Sequence, residues 1–152
     1  MLFSKVDIPL ENIHRIRGED EPSIEVKRFS EEMLKIIPSE NDTPIFDWIL
    51  LGVGADGHTA SLFPNQTDYE DINLSVLASH PESGQVRVSK TAKVLESAKR
   101  ISYLVLGSGK ADIVKEINSV PGYTLPYPAA KIKAKSGLTE WYLDADAAAK
   151  IA

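Results

Sequence analysis

LLGVGADGHTASLFP, residues 50–64, joins an apolar run to a loop holding three glycines, an aspartate and a histidine. Residues 46–51 are nearly all apolar, the pattern of a strand buried on both faces. In an open α/β sheet, ligands sit beyond the carboxyl ends of strands, and residues 52–58 leave such an end. Glycines there permit positive φ and let backbone approach a ligand. Successive amides in that kind of turn form an anion-accepting nest. Gly52, Gly54 and Gly57 meet the bare Gly-x-Gly-x-x-Gly spacing. His58 follows at once, however, and Pro64 leaves no room for the long helix of a dinucleotide site. Nicotinamide binding is therefore disfavoured, and a tight strand exit without a ligand is the plain alternative.

The pattern around this stretch predicts the rest of the fold. Val26, Phe29, Met33 and Ile36 recur at helical spacing, so residues 23–37 read as an amphipathic helix closed by Pro38. Residues 39–44 and 65–71 read as polar loops, and residues 59–63 as a short helical turn. Residues 73–79 and 85–89 read as strands joined by the turn signal at 81–84. Helices are expected over 91–98 and 110–118, with a buried strand between them at 101–106. Three prolines exclude regular helix from residues 120–128. A last strand is expected at 139–143, followed by a helical tail. Buried strands alternating with helices imply one α/β domain over residues 1–152, with an open, mostly parallel, Rossmann-like sheet flanked by helices.

Composition narrows the function. The chain has 152 residues, enough for one domain with its own core. Its net charge of −5, with both signs mixed along the chain, argues against nucleic acid as a partner, which needs a clustered basic face. No apolar run approaches membrane-span length, so no membrane partner is expected. The absence of cysteine removes disulfide and thiolate chemistry and fits a reducing cytoplasm. With three histidines scattered along the chain, a His/Cys metal site is not expected.

His58 carries the sharpest chemical signal. A histidine's ordinary pKa near ~6.5 lets neutral imidazole act as a base at neutral pH. Ser61 lies close by, but no Gly-x-Ser-x-Gly elbow surrounds it, so water is the expected nucleophile. Asp56 either orients the loop or the imidazole, or simply makes an Asx-type turn. Lys110 follows Gly107-Ser108-Gly109 at an expected helix start, which favours anions. That run is no Walker loop, because Ala111 stands where Ser or Thr is needed.

The run from Gly52 and Gly54 through Asp56, Gly57, His58, Ala60, Ser61, Leu62 and Phe63 to Pro64 resembles the signature of the glucosamine-6-phosphate isomerase/6-phosphogluconolactonase family. Residues 59–63, TASLF, are similar to the lactonase branch; the deaminases continue into an Ile-x-Phe-Asn-Glu-Pro-like tail. Further stretches resemble the family in order: KVDIPLENIHRI (5–16), RVSKTAKVLESAKRISYLVLGSGKA (87–111), LPYPAAKI (125–132) and EWYLDADAA (140–148). The family's first third, with a Gly-Gly-Ser/Asn-Thr-Pro phosphate loop and an Asp-Glu-Arg motif, is expected before Met1; neither motif occurs here. The C-terminus looks complete. Loss of the first strands is expected to expose a sheet edge and apolar surface.

The resemblance implies the deaminase/ribose-5-phosphate isomerase/CoA-transferase-like fold. It implies water opening the δ-lactone of 6-phosphogluconolactone, in the oxidative branch of the pentose phosphate pathway, without metal or organic cofactor. The expected partner is thus a small phosphosugar lactone; the oligomeric state is left open. His58 is the expected base. Gly54, Asp56, Gly57, Arg87 and Lys110 are the candidate substrate contacts. Arg87 would serve the phosphate or the developing oxyanion, against a plain surface arginine; Lys110 would serve the phosphate, against a solvated helix cap. A deaminase-like sugar-phosphate enzyme and a non-catalytic sugar-phosphate-binding fragment are the alternatives.

Overall fold

The computed structural model describes residue 3 and residues 5–151. Helix α1, Pro22–Ile36, starts where Glu21 accepts hydrogen bonds from the Ser23 and Ile24 backbone N–H groups, with Pro22 at the first helical position. It packs on an antiparallel hairpin of β4 (Ser75–Ser79) and β5 (Val86–Lys90). Phe29 and Met33 of the helix meet Leu74 and Val94 in a small core. The expected loop at 39–44 is instead a tight hairpin of β1 (Ser39–Glu40) and β2 (Thr43–Pro44). Asn41 and Asp42 both have positive φ at its tip, the residues that a primed turn selects.

Three parallel strands form the central sheet in the order β3 (Ile49–Leu51), β6 (Arg100–Val105), β7 (Leu138–Leu143). Ile49 pairs with Ile101, which pairs with Thr139. One face carries Ile49, Leu51, Ile101, Tyr103 and Val105 into the main core. Helices α2 (Ala92–Glu96), α3 (Ala111–Ser119), α4 (Pro128–Lys131) and α5 (Ala145–Ala148) supply Leu95, Val114, Ala129 and Ala147 to it. The Tyr103 ring stacks on Trp141 at 4.4 Å, and its hydroxyl donates to the Ile132 carbonyl. The α/β class and the parallel sheet match the sequence reading.

Three local expectations need correction. The strand expected over 46–51 begins only at Ile49. The run is not buried on both faces: Leu50 is 58 % exposed, and Leu104 in β6 is exposed as well. The alternate residues of these strands point to a face on which, among the described residues, no helix lies. Residues 59–63 do not turn helically. Thr59 and Leu62 instead form an antiparallel bridge around Ala60, whose φ is positive.

Candidate functional site

The carboxyl edge of the sheet gathers three loops. Residues 52–58 leave β3, Gly107–Lys110 leave β6, and Asp144 leaves β7. The first loop is closed by its own backbone: the Gly54 N–H donates to the His58 carbonyl at 2.9 Å, and the Gly57 N–H to the Gly54 carbonyl at 3.0 Å. The buried Thr59 hydroxyl donates to the Gly52 carbonyl and fixes the exit.

Within this loop, His58 Nδ1 lies 2.6 Å from Asp56 Oδ1, which also accepts the His58 backbone N–H. Partial burial pulls the Asp56 carboxyl upward, but the hydrogen bonds from the His58 backbone and ring outweigh it. The carboxyl is held below its usual range. An ionised carboxylate only accepts, so Nδ1 must carry the proton. The neutral ring is thereby left with its lone pair on Nε2, the arrangement a general base requires. The His58 side chain is 27 % exposed, so solvent reaches it. Of the two open readings of Asp56, the structure shows both the Asx-type backbone bond and the bond to the imidazole.

The glycines have separate tasks. A Cβ on Gly54 would overlap both the His58 ring and Asp56 Oδ1, so a side chain there is incompatible with the pair. Gly57 has φ +82° and lies under the Tyr127 ring. The Ala129 N–H donates to the Gly57 carbonyl, and the Tyr127 hydroxyl donates to Glu116. Helices α3 and α4 thus hold the loop from behind. On another side, the Phe63 ring lies 4.9 Å from that of His58 and 5.4 Å from that of His80. Sequence reasoning did not find Tyr127, Glu116, Phe63 or His80 as supports. The LPYPAAKI motif holds Tyr127 and the signature run holds Phe63, but neither motif marks its residue as a support of the histidine.

Arg87 and Lys110 stand apart from this pair. The Arg87 Nε donates to Gln85, and its side chain borders a pocket of about 270 Å³ with Arg17 and Ser61. A hydrogen bond from the Ser61 N–H to Ser89 Oγ ties the signature segment to the strand bearing Arg87. Lys110 ends a short 3-10 turn at the same sheet edge as His58, and its amine forms no hydrogen bond or ion pair among the described residues. The Gly107 N–H is already taken by Asp144, which also caps α5. These two N–H groups, Ala147's and Gly107's, hold the Asp144 carboxyl below its usual range. Gly54, Asp56, Gly57 and His58 therefore form one cluster, with Arg87 and Lys110 on neighbouring elements. Among the described residues, no three His, Asp or Glu side chains converge as metal ligands, and no helix is long and apolar enough to cross a membrane.

Comparison with known proteins agrees with this architecture. The chain is 65 % identical over 144 residues to a 6-phosphogluconolactonase of Haemophilus influenzae, covering 95 % of this chain and 60 % of that protein. It is 64 % identical over 148 residues to a 6-phosphogluconolactonase of Aggregatibacter actinomycetemcomitans, covering 97 % and 62 %. The crystal structure of a protein named devB superposes with a TM-score of 0.96 at 72 % identity, covering 99 % of this chain and 63 % of the other. The chain thus spans about three fifths of the length of the relatives it matches. The family model described as glucosamine-6-phosphate isomerases/6-phosphogluconolactonase matches residues 1–141. With that match over most of its length, and the Asp56–His58 loop at the edge of a parallel sheet, this chain belongs to the glucosamine-6-phosphate isomerase/6-phosphogluconolactonase family.

Proposed function

We propose that the chain is the C-terminal part of a cytoplasmic 6-phosphogluconolactonase and carries its general base. His58 Nε2 takes a proton from water as the oxygen adds to the lactone carbonyl carbon. The ring C–O bond then breaks, and the imidazolium returns the proton to the departing alkoxide. Asp56 keeps the ring turned and stabilises the imidazolium as it forms. The glycine loop brings backbone close to the sugar. Arg87, on the strand tied to the signature segment, would serve the phosphate or the oxyanion, and Lys110, at the same sheet edge as His58, would serve the phosphate. The observation that carries this reading is the 2.6 Å bond between His58 Nδ1 and Asp56 Oδ1, because it commits Nε2 to accepting a proton. The 64 % and 65 % identical relatives named for this activity support the substrate.

The test is lactone hydrolysis by the full-length protein and its His58→Asn variant. General-base assistance contributes roughly 10²–10⁴-fold, so the variant should lose about that much in kcat. Near-normal turnover would remove His58 from the reaction. Ammonia release from glucosamine 6-phosphate would instead assign the deaminase branch. Binding of 6-phosphogluconate without turnover would make the chain a sugar-phosphate-binding module.

A further inference from the structure

Strand β5 ends on an amine without a counter-charge. Lys90 is half-buried, and its Nζ lies 5.0 Å from the Phe29 ring centre and 5.3 Å from that of Phe46. Among the described residues it forms no hydrogen bond or ion pair. The side chain borders a recess of about 90 Å³ walled by Phe29, Met33, Ile37 and Phe46, with His14 and Glu32 as its other titratable residues. Glu32 is already engaged. One of its oxygens lies 2.9 Å from His14 Nδ1, and the other accepts from Arg28. The bonds to His14 and Arg28 hold the Glu32 carboxyl below its usual range. Both oxygens are thus taken up, and neither is bonded to Lys90. Across the hairpin, the residue paired with Lys90 is the uncharged Ser75.

An amine set among rings without an acceptor is costly to keep as an ammonium, and burial lowers the Lys90 pKa. A desolvated, neutral lysine is a nucleophile, whereas an exposed one stays protonated at neutral pH. We propose that Lys90 is an acyl-acceptor site, which takes a short apolar acyl group from an activated donor, an acyl phosphate or a thioester. Nζ adds to the acyl carbonyl carbon. The bond from that carbon to the phosphate oxygen or the sulfur breaks, and phosphate or thiolate leaves with the electron pair. The proton lost from nitrogen passes to water, and the product is a neutral amide. The recess selects the acyl group: it is small and mostly apolar, so a short hydrocarbon tail fits and a phosphorylated sugar acid does not. Amide formation also removes the charge that burial penalises, so the acylated chain is the more stable one.

The experiment treats the full-length protein with acetyl phosphate and, separately, with a small acetyl thioester. Peptide mass spectrometry follows acetylation at each lysine from pH 6 to pH 10, with the exposed Lys27 and Lys133 as references. At pH 7, Lys90 should react at least tenfold faster than either reference with one donor or both, and the preferred donor names the source. Its rate should level off with rising pH while theirs still climb. A succinyl thioester, whose acyl group carries a carboxylate, should show no preference for Lys90. The preference for acetyl should vanish in unfolding urea, and protein acetylated at Lys90 should need more urea to unfold than the unmodified protein. Reaction at Lys90 no faster than at the references with both acetyl donors would overturn the proposal. So would a rate that climbs in parallel with theirs, equal preference for the succinyl group, or a preference that survives unfolding.

Discussion

Asp56 and His58 are two residues apart in the chain and joined twice, through the ring Nδ1 at 2.6 Å and through the His58 backbone N–H at 3.2 Å. The backbone bond fixes the carboxylate, and the carboxylate fixes the ring. An orienting role predicts a specific kinetic pattern. Asp56→Asn keeps the shape but can offer the ring an amide donor, which favours the wrong tautomer. A charge-assisted hydrogen bond contributes roughly 1.5–3 kcal/mol, so lactone hydrolysis should lose about ten- to a hundredfold in kcat. KM should change little, since Asp56 is then felt in the transition state more than in binding. A fall in KM-linked binding alone, with kcat intact, would assign Asp56 to substrate contact instead.

Gly54 and Gly57 should separate activity from stability. A methyl on Gly54 overlaps the pair, but that position does not need a left-handed backbone. Gly54→Ala should therefore cut turnover at least as far as Asp56→Asn while shifting the urea midpoint little. Gly57→Ala combines strain at φ +82° with a Cβ only 2.5 Å from the Tyr127 ring. It should destabilise the fold by about 1–3 kcal/mol, read as a lower midpoint at unchanged slope.

These contrasts also show what could be read from the chain. Asp56 and His58 were legible because the whole pair lies inside one short loop after one strand. Tyr127 against Gly57 was not, because the contact joins distant segments and depends on how α4 folds back. The helical reading of 59–63 failed because the Thr59 hydroxyl is tied to Gly52 and the backbone bridges to Leu62, which overrides the local propensity of alanine and leucine. Leu50 and Leu104 looked like core because apolar runs in parallel strands ordinarily are. Periodicity cannot tell whether the chain at hand supplies the covering layer.

Glu25 predicts an acid-sensitive anchor. It is buried in α1, bonded to Arg28 and to the Arg17 backbone N–H, while Arg28 also holds Glu32 and the Arg15 carbonyl. The Arg28 hydrogen bond lowers the Glu25 pKa against the upward pull of burial. A lowered folded-state value means stability fully present above the unfolded carboxyl value of about 4.3 and lost as pH falls through the folded one. Arg28 keeps Glu32 and the Arg15 carbonyl when Glu25 is removed, and a charge-assisted hydrogen bond contributes roughly 1.5–3 kcal/mol, so Glu25→Ala should lose about 2 kcal/mol at pH 7. The deficit should shrink below pH 4. A deficit that persists undiminished at pH 3 would place its origin in packing, not charge.

Lys90 predicts the opposite sign. Its amine lies 5.0 Å from the Phe29 ring centre and 5.3 Å from that of Phe46, in a recess between α1 and β5 that is mostly apolar but also includes Glu32 and His14. Ring faces favour a cation, yet burial lowers the pKa. Desolvation by burial thus makes the charged amine costly to the fold at neutral pH. Lys90→Met, similar in length and without the charge, should raise the urea midpoint at pH 7 by the equivalent of about 1 kcal/mol. The unfolded chain binds the proton more tightly, so parent stability from this group rises with pH between the depressed folded value and about 10.4. The advantage of the methionine variant should accordingly narrow from pH 7 toward pH 10. Equal advantage at both would show that the gain comes from added apolar packing and not from relief of a buried charge.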